Sequence, residues 1–231
     1  MDPYTLLVCW ERGRTRHPLD RALLLHAIAA PGEDASTLAD RPLGERNAAL
    51  LRLHDALSGD ELQSSVECPE CRERLEFTLS ATAMCPNTVP PPSHVRVGDV
   101  LVRVPTTRDL ASLTEETDTN RAADLLLKRL VPAAPPGEMD PDLPPVNAVT
   151  RALDEADPCA DLTVALTCPV CAHAWDAALD IAAFLWEEIE VRARRFLDEV
   201  HVLAQAYGWT EAEILRLSEA RRSAYIDRVF G

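Results

Sequence analysis

Glycine is scarce in this sequence, eight residues in 231, and none falls in a phosphate-cradling loop or a nucleophile elbow. The usual signatures of a nucleotide site and of an acyl-transferring serine are therefore missing. Basic residues are outnumbered, 23 lysines and arginines against 38 acidic residues, for a net charge of −15. Lys128 is the only lysine. Polyanion binding needs clustered cations to displace counterions, so the balance argues against DNA, RNA and anionic membranes as partners. No apolar run approaches the ~20 residues that cross a bilayer. Met1-Asp2-Pro3-Tyr4 also lacks the basic opening of a signal peptide. The expectation is a cytoplasmic protein whose thiols stay reduced. His17, His26, His54, His94 and His201 have no spacing suited to a metal pair or a triad, and no paired-carboxylate signature appears. These absences predict a chain that is not an enzyme and takes no small-molecule substrate.

What the chain does have is a pair of matched tetrapeptides, Cys68-Pro-Glu-Cys71 and Cys168-Pro-Val-Cys171. Each interrupts an alternating, strand-like stretch. Leu62, Ser64 and Val66 precede the first pair, and Leu75, Phe77 and Leu79 follow it. Leu162, Val164 and Leu166 precede the second, and Trp175, Ala177 and Leu179 follow. Leu75 and Trp175 fall at equivalent offsets, so the two units match in register as well as in motif. Each reads as a strand–CPxC–strand knuckle, and four thiolates from two knuckles can close a tetrahedral site around one structural zinc ion. Such a site keeps no open coordination position, so its zinc would stabilise the fold and not activate water.

The rival chemistry is thiol–disulfide exchange. A redox CxxC sits at a helix N-terminus, where the dipole lowers the thiol pKa. Here alternation resumes directly after each pair, so that helix is missing. An iron–sulfur cluster would use the same four ligands. His173, two residues past Cys171, could stand in for a cysteine, but four sulfurs already fill the site. Cys9, Cys85 and Cys159 belong to no motif and read as buried or incidental thiols, although Cys85 and Cys159 could lie near the metal or each other.

The remaining segments are mostly helical, which gives an α+β fold class. Helical N- and C-terminal regions surround a small split zinc ribbon that carries an inserted α+β segment. The boundaries fall at 1–60 (helical), 61–80 (first ribbon half), 81–159 (insertion), 160–180 (second ribbon half) and 181–231 (helical). In the first region, helices are predicted over Pro18 to Ala30 and about Gly44 to Leu57. The insertion holds a stiff Pro86–Pro92 linker, a hairpin turning at Gly98-Asp99, helices near 108–113 and 120–130, a Pro-rich loop over 132–145 and a helix over 146–156. In the last region a helical stripe runs from Ile181 to Tyr207 and stops at Gly208. Thr210-Glu211-Ala212-Glu213 is a capping box, and Ser218 caps a final helix.

Two regions also resemble a known family. The run Glu199-Val200-His201-Val202-Leu203-Ala204-Gln205-Ala206-Tyr207-Gly208-Trp209, continued by Thr210 to Leu215, Arg221-Arg222 and Tyr225, is similar to the tail of phage baseplate hub assembly proteins and their relatives in contractile injection systems. Trp10-Glu11-Arg12-Gly13 and His17-Pro18-Leu19-Asp20-Arg21 resemble the opening of family members that also carry paired CxxC knuckles. Val104-Pro105-Thr106 to Leu110 adds a fainter likeness in the middle. The resemblance implies a non-enzymatic structural or assembly role in a contractile, phage-tail-like baseplate, with other baseplate or tail proteins as partners. Tyr207, Trp209, Trp10 and Trp186 are the natural anchors for such contacts. The alternatives are a zinc-ribbon nucleic-acid-binding or regulatory adaptor and, less in keeping with the motif context, a CxxC oxidoreductase.

Overall fold

The computed structural model describes residues 1–86, 89–131 and 144–231. In chain order the elements are α1 (Pro3–Gly13), α2 (Pro18–Ala29), α3 (Ala35–Ala39), α4 (Leu43–Ser58), β1 (Glu61–Glu67), β2 (Arg74–Ser80), α5 (Ala81–Met84), β3 (His94–Val97), β4 (Val100–Arg103), α6 (Thr107–Ala111), α7 (Thr119–Leu130), α8 (Val146–Ala156), β5 (Thr163–Thr167), β6 (Ala174–Ala178), α9 (Ile181–Tyr207), α10 (Glu211–Arg216) and α11 (Glu219–Phe230). The fold is mixed α+β, mainly helical with small antiparallel sheets. Among the described residues no helix is long and apolar enough to cross a membrane. The chain forms two compact units, one of residues 1–17 and 183–231, the other of residues 18–182.

The larger unit contains the six strands of the described residues, paired as three two-stranded hairpins: β1 with β2, β3 with β4, and β5 with β6. The two cysteine-bearing hairpins share one register. Val66 faces Leu75 and Glu67 faces Arg74 in the first; Leu166 faces Trp175 and Thr167 faces Ala174 in the second. Leu62 and Leu162, the equivalent residues near the strand starts, are both buried. The β3–β4 hairpin turns at Gly98, whose φ of 61° lies in the left-handed region that glycine enters without strain. Its Val102 joins Leu127, Leu130, Val131 and Val149 in an apolar cluster that α7 and α8 help to close.

Helix α4 organises this unit. Leu50, Leu51 and His54 are buried along it, and α2 and α5 pack against it. Its N-terminal Pro42 supplies no side-chain cap. Asp157, just past α8, does so instead: its Oδ2 accepts the Gly44 N–H at 2.9 Å. Gly44 is required by this approach, since a Cβ there would lie 1.6 Å from Asp157 Oδ1. Three residues further on, Asn47 Nδ2 donates to the carbonyls of Cys159 (2.9 Å) and Ala160 (3.1 Å). The end of the insertion is thus bonded to the first turn of α4.

The smaller unit is helical. Leu6, Leu7 and Cys9 of α1 and Trp186, Ile189, Ala193 and Leu203 of α9 are buried in it, as is Ile214 of α10. Gly13 leaves room for the Trp186 indole, which a Cβ would approach to 2.3 Å. Glu199 is buried and accepts from Arg222 Nε at 2.6 Å and Arg195 Nε at 3.0 Å, while Arg222 also donates to the Leu217 carbonyl at 2.6 Å. The guanidinium of Arg222 lies over Phe196, 5.1 Å from its ring centre. Tyr207 stacks on Trp209, and Tyr225 meets both edge-on. Trp186 is a core residue and not an exposed anchor. The Thr210–Glu213 capping box, the Ser218 cap and a left-handed Gly208 (φ 69°) stand where the sequence puts them.

Most of the Pro-rich 132–145 loop lies outside the described residues, as do residues 87 and 88 of the proline linker.

Candidate metal centre

Each CPxC knuckle is a turn at the tip of its hairpin, and the two are built alike. Cys68 N–H donates to the Glu73 carbonyl at 2.8 Å and Arg72 N–H to the Cys68 carbonyl at 2.9 Å. In the second knuckle, Cys168 N–H donates to His173 at 2.8 Å and Ala172 N–H to Cys168 at 2.9 Å. These bonds reverse the chain within six residues. They force Arg72 (φ 65°) and Ala172 (φ 60°) into the left-handed region, where a side chain costs energy. Matched strain at matched positions outside glycine indicates a backbone held to one purpose.

That purpose is visible in the sulfurs. Cys68, Cys71, Cys168 and Cys171 bring all four Sγ atoms within 4.8 Å of one another. Cys68 Sγ lies 3.7 Å from Cys171 Sγ, and Cys71 Sγ 3.6 Å from Cys168 Sγ. Each close pair joins the buried first cysteine of one knuckle to the exposed second cysteine of the other. Four thiolates set tetrahedrally at ~2.3 Å from a shared ion would have edges of about 3.8 Å. The four sulfurs could therefore hold a metal ion, and the two short separations are close to the edges of such a tetrahedron.

The electrostatics point the same way. The N–H groups of Cys171 and then Val170 aim at the Cys168 sulfur and lower its pKa to about 7. Cys71 behaves oppositely. The Glu73 N–H favours its thiolate, but desolvation and the other three sulfurs outweigh that and push it up to about 12. Four adjacent sulfurs cannot all ionise without a cation among them. A bound divalent ion would supply that charge and make all four thiolates compatible.

His173 is not a fifth ligand: its carbonyl serves the knuckle and its ring stacks on Trp175 with centres 5.7 Å apart. Cys9 is a buried thiol, and desolvation, which outweighs the nearby Arg12, pushes its pKa up to about 11. Cys85 and Cys159 do not stay incidental thiols. They are bonded to each other as a disulfide, with Cα atoms 5.7 Å apart. Neither lies in a CxxC motif, so spacing gave no signal for the bond. The proximity arises because α5 and the segment after α8 both pack on α4. Comparison with protein-family models, with curated proteins and with solved structures gives no match.

Proposed function

We propose that this chain is a non-enzymatic structural or assembly protein of a contractile, phage-tail-like baseplate, in which the four cysteines hold one structural zinc ion as a split ribbon. The observation that carries the metal reading is the convergence of four sulfurs within 4.8 Å of one another, two of their separations being 3.6 and 3.7 Å. Zinc suits a closed, all-thiolate tetrahedron, and it would supply the four metal–sulfur bonds that fix the knuckles together. The protein's own part is to pre-form the site. Two hairpins in one register present paired sulfurs, and the backbone N–H groups around Cys168 stabilise its thiolate before metal arrives.

The baseplate reading rests on the sequence resemblance at residues 199–225 and 10–21. In support, that C-terminal stretch is an ordered module, with Tyr207, Trp209 and Tyr225 in mutual contact and Phe230 exposed beyond them. A rigid unit with exposed aromatic groups suits protein contacts. Affinity purification of the tagged chain from its producing cell tests this reading. Sheath, tube or spike proteins should co-purify, and their absence from a metal-loaded, folded preparation would count decisively against it.

A further inference from the structure

The Cys85–Cys159 bond lies in the wall of a cavity of about 340 Å³ between α4 and the strap Val89-Pro90-Pro91-Pro92. The two sulfurs are not equivalent. Cys159 is buried, and its neighbourhood is fixed to α4 by Asn47 Nδ2 on its carbonyl and by Asp157 on the Gly44 N–H. Cys85 is half-buried and caps the one-turn helix α5, which is held at its start by Asp60 and Ser80. The bond also closes the insertion just inside the four-cysteine cluster, 74 residues apart in sequence. With the knuckles already together, its closure entropy is that of a short ring, so the pair re-forms readily after opening.

From this geometry we propose that Cys85–Cys159 is an exchangeable disulfide and that Cys85 is a modification site for small thiols of the glutathione class. A thiolate entering the cavity attacks Cys85 Sγ. The Cys85–Cys159 bond breaks, Cys159 leaves as a thiolate and takes a proton from water, and a mixed disulfide forms on Cys85. A second thiolate attacks the small-molecule sulfur of that mixed disulfide and releases Cys85. The protein gains two electrons and two thiols become one small disulfide. Access decides which sulfur is struck, and Cys85 is the less buried of the two residues. Opening leaves the Cys159 end bonded to α4 and frees the α5 end.

The test uses the full-length, metal-loaded protein in glutathione buffers, quenched with acid and mapped by peptide mass spectrometry. Wild type should show reversible opening, with transient glutathione on Cys85. Cys159→Ser should accumulate that adduct about tenfold faster than Cys85→Ser accumulates one on Cys159, because attack follows exposure. Reduction should speed amide exchange at Thr82 and Ala83 while leaving Gly44 protected. Glutathione on Cys159 in wild type, a pair that stays reduced in glutathione disulfide, or faster exchange at Gly44 overturns the proposal.

Discussion

Asp157 caps α4 from across the unit, accepting the Gly44 N–H at 2.9 Å from 113 residues away in sequence. A side-chain cap is worth about 1–2 kcal/mol, and this one also ties the end of the insertion to the central helix. Asp157→Ala should therefore lower stability by about that amount. Gly44→Ala should cost at least as much, because its methyl group would displace the carboxylate. Chemical denaturation of the metal-loaded protein measures both. Equal stability of Gly44→Ala and wild type would mean that the cap does not form.

The buried Arg222–Glu199 pair organises the smaller unit. Removing one partner of a buried pair strands the other charge and costs about 3–5 kcal/mol. Glu199→Ala should thus unfold α11 from its unit, read as faster amide exchange through Arg222 to Asp227. Arg195→Ala, removing an exposed partner of the same glutamate, should change stability by less than about 1 kcal/mol. Similar effects for the two variants would contradict the assignment of Arg222 as the buried partner.

His26 is buried in α2, and its Nδ1 finds no hydrogen-bond partner among the described residues. Desolvation, helped by Arg46, lowers its pKa from 6.5 to about 4. The unfolded chain therefore binds a proton between those values that the folded chain refuses. Stability is full above pH 6.5 and is lost as pH falls towards about 4. The stability difference between wild type and His26→Leu should be flat above neutrality and shift against wild type below it. A difference independent of pH over that range would contradict a buried neutral imidazole.

Arg72 and Ala172 occupy left-handed positions that a glycine would take without steric cost. Arg72→Gly and Ala172→Gly should each stabilise the loaded knuckle by up to ~1 kcal/mol, the relief of strain exceeding the entropy lost. Ala172→Val should do the reverse by at least as much, since β-branching makes this conformation worse. Thermal melts of the three variants give the order.

What the sequence disclosed and what it withheld follow the range of the interactions. The knuckles were legible because alternation and a two-residue turn are local, and register followed from residues 100 apart matching one for one. The Thr210 and Ser218 caps were legible for the same reason. Helix α1 was not foreseen, although a signal for it was there: Asp2 before Pro3 caps its first turn by accepting the Thr5 N–H at 3.1 Å. The one-turn helices α3 and α5 were not foreseen, being too short to show a period. The sequence left Cys85 and Cys159 open between the metal and each other, and it gave no sign of the Asp157 cap. The bond needs α5 and the segment after α8 to meet on α4, and the cap needs that segment to reach the start of α4, which no local pattern encodes.

Cys68, Cys71, Cys168 and Cys171 lie close enough to hold a metal ion, and we propose that they form a closed structural site. The most direct measurement is metal content of freshly purified, thiol-reduced protein by elemental analysis, paired with unfolding on chelation. One zinc per chain is expected, with loss of the native fold when a strong chelator removes it and loss of metal in Cys68→Ser or Cys168→Ser. Protein that is fully folded, reduced and free of any bound metal would contradict it.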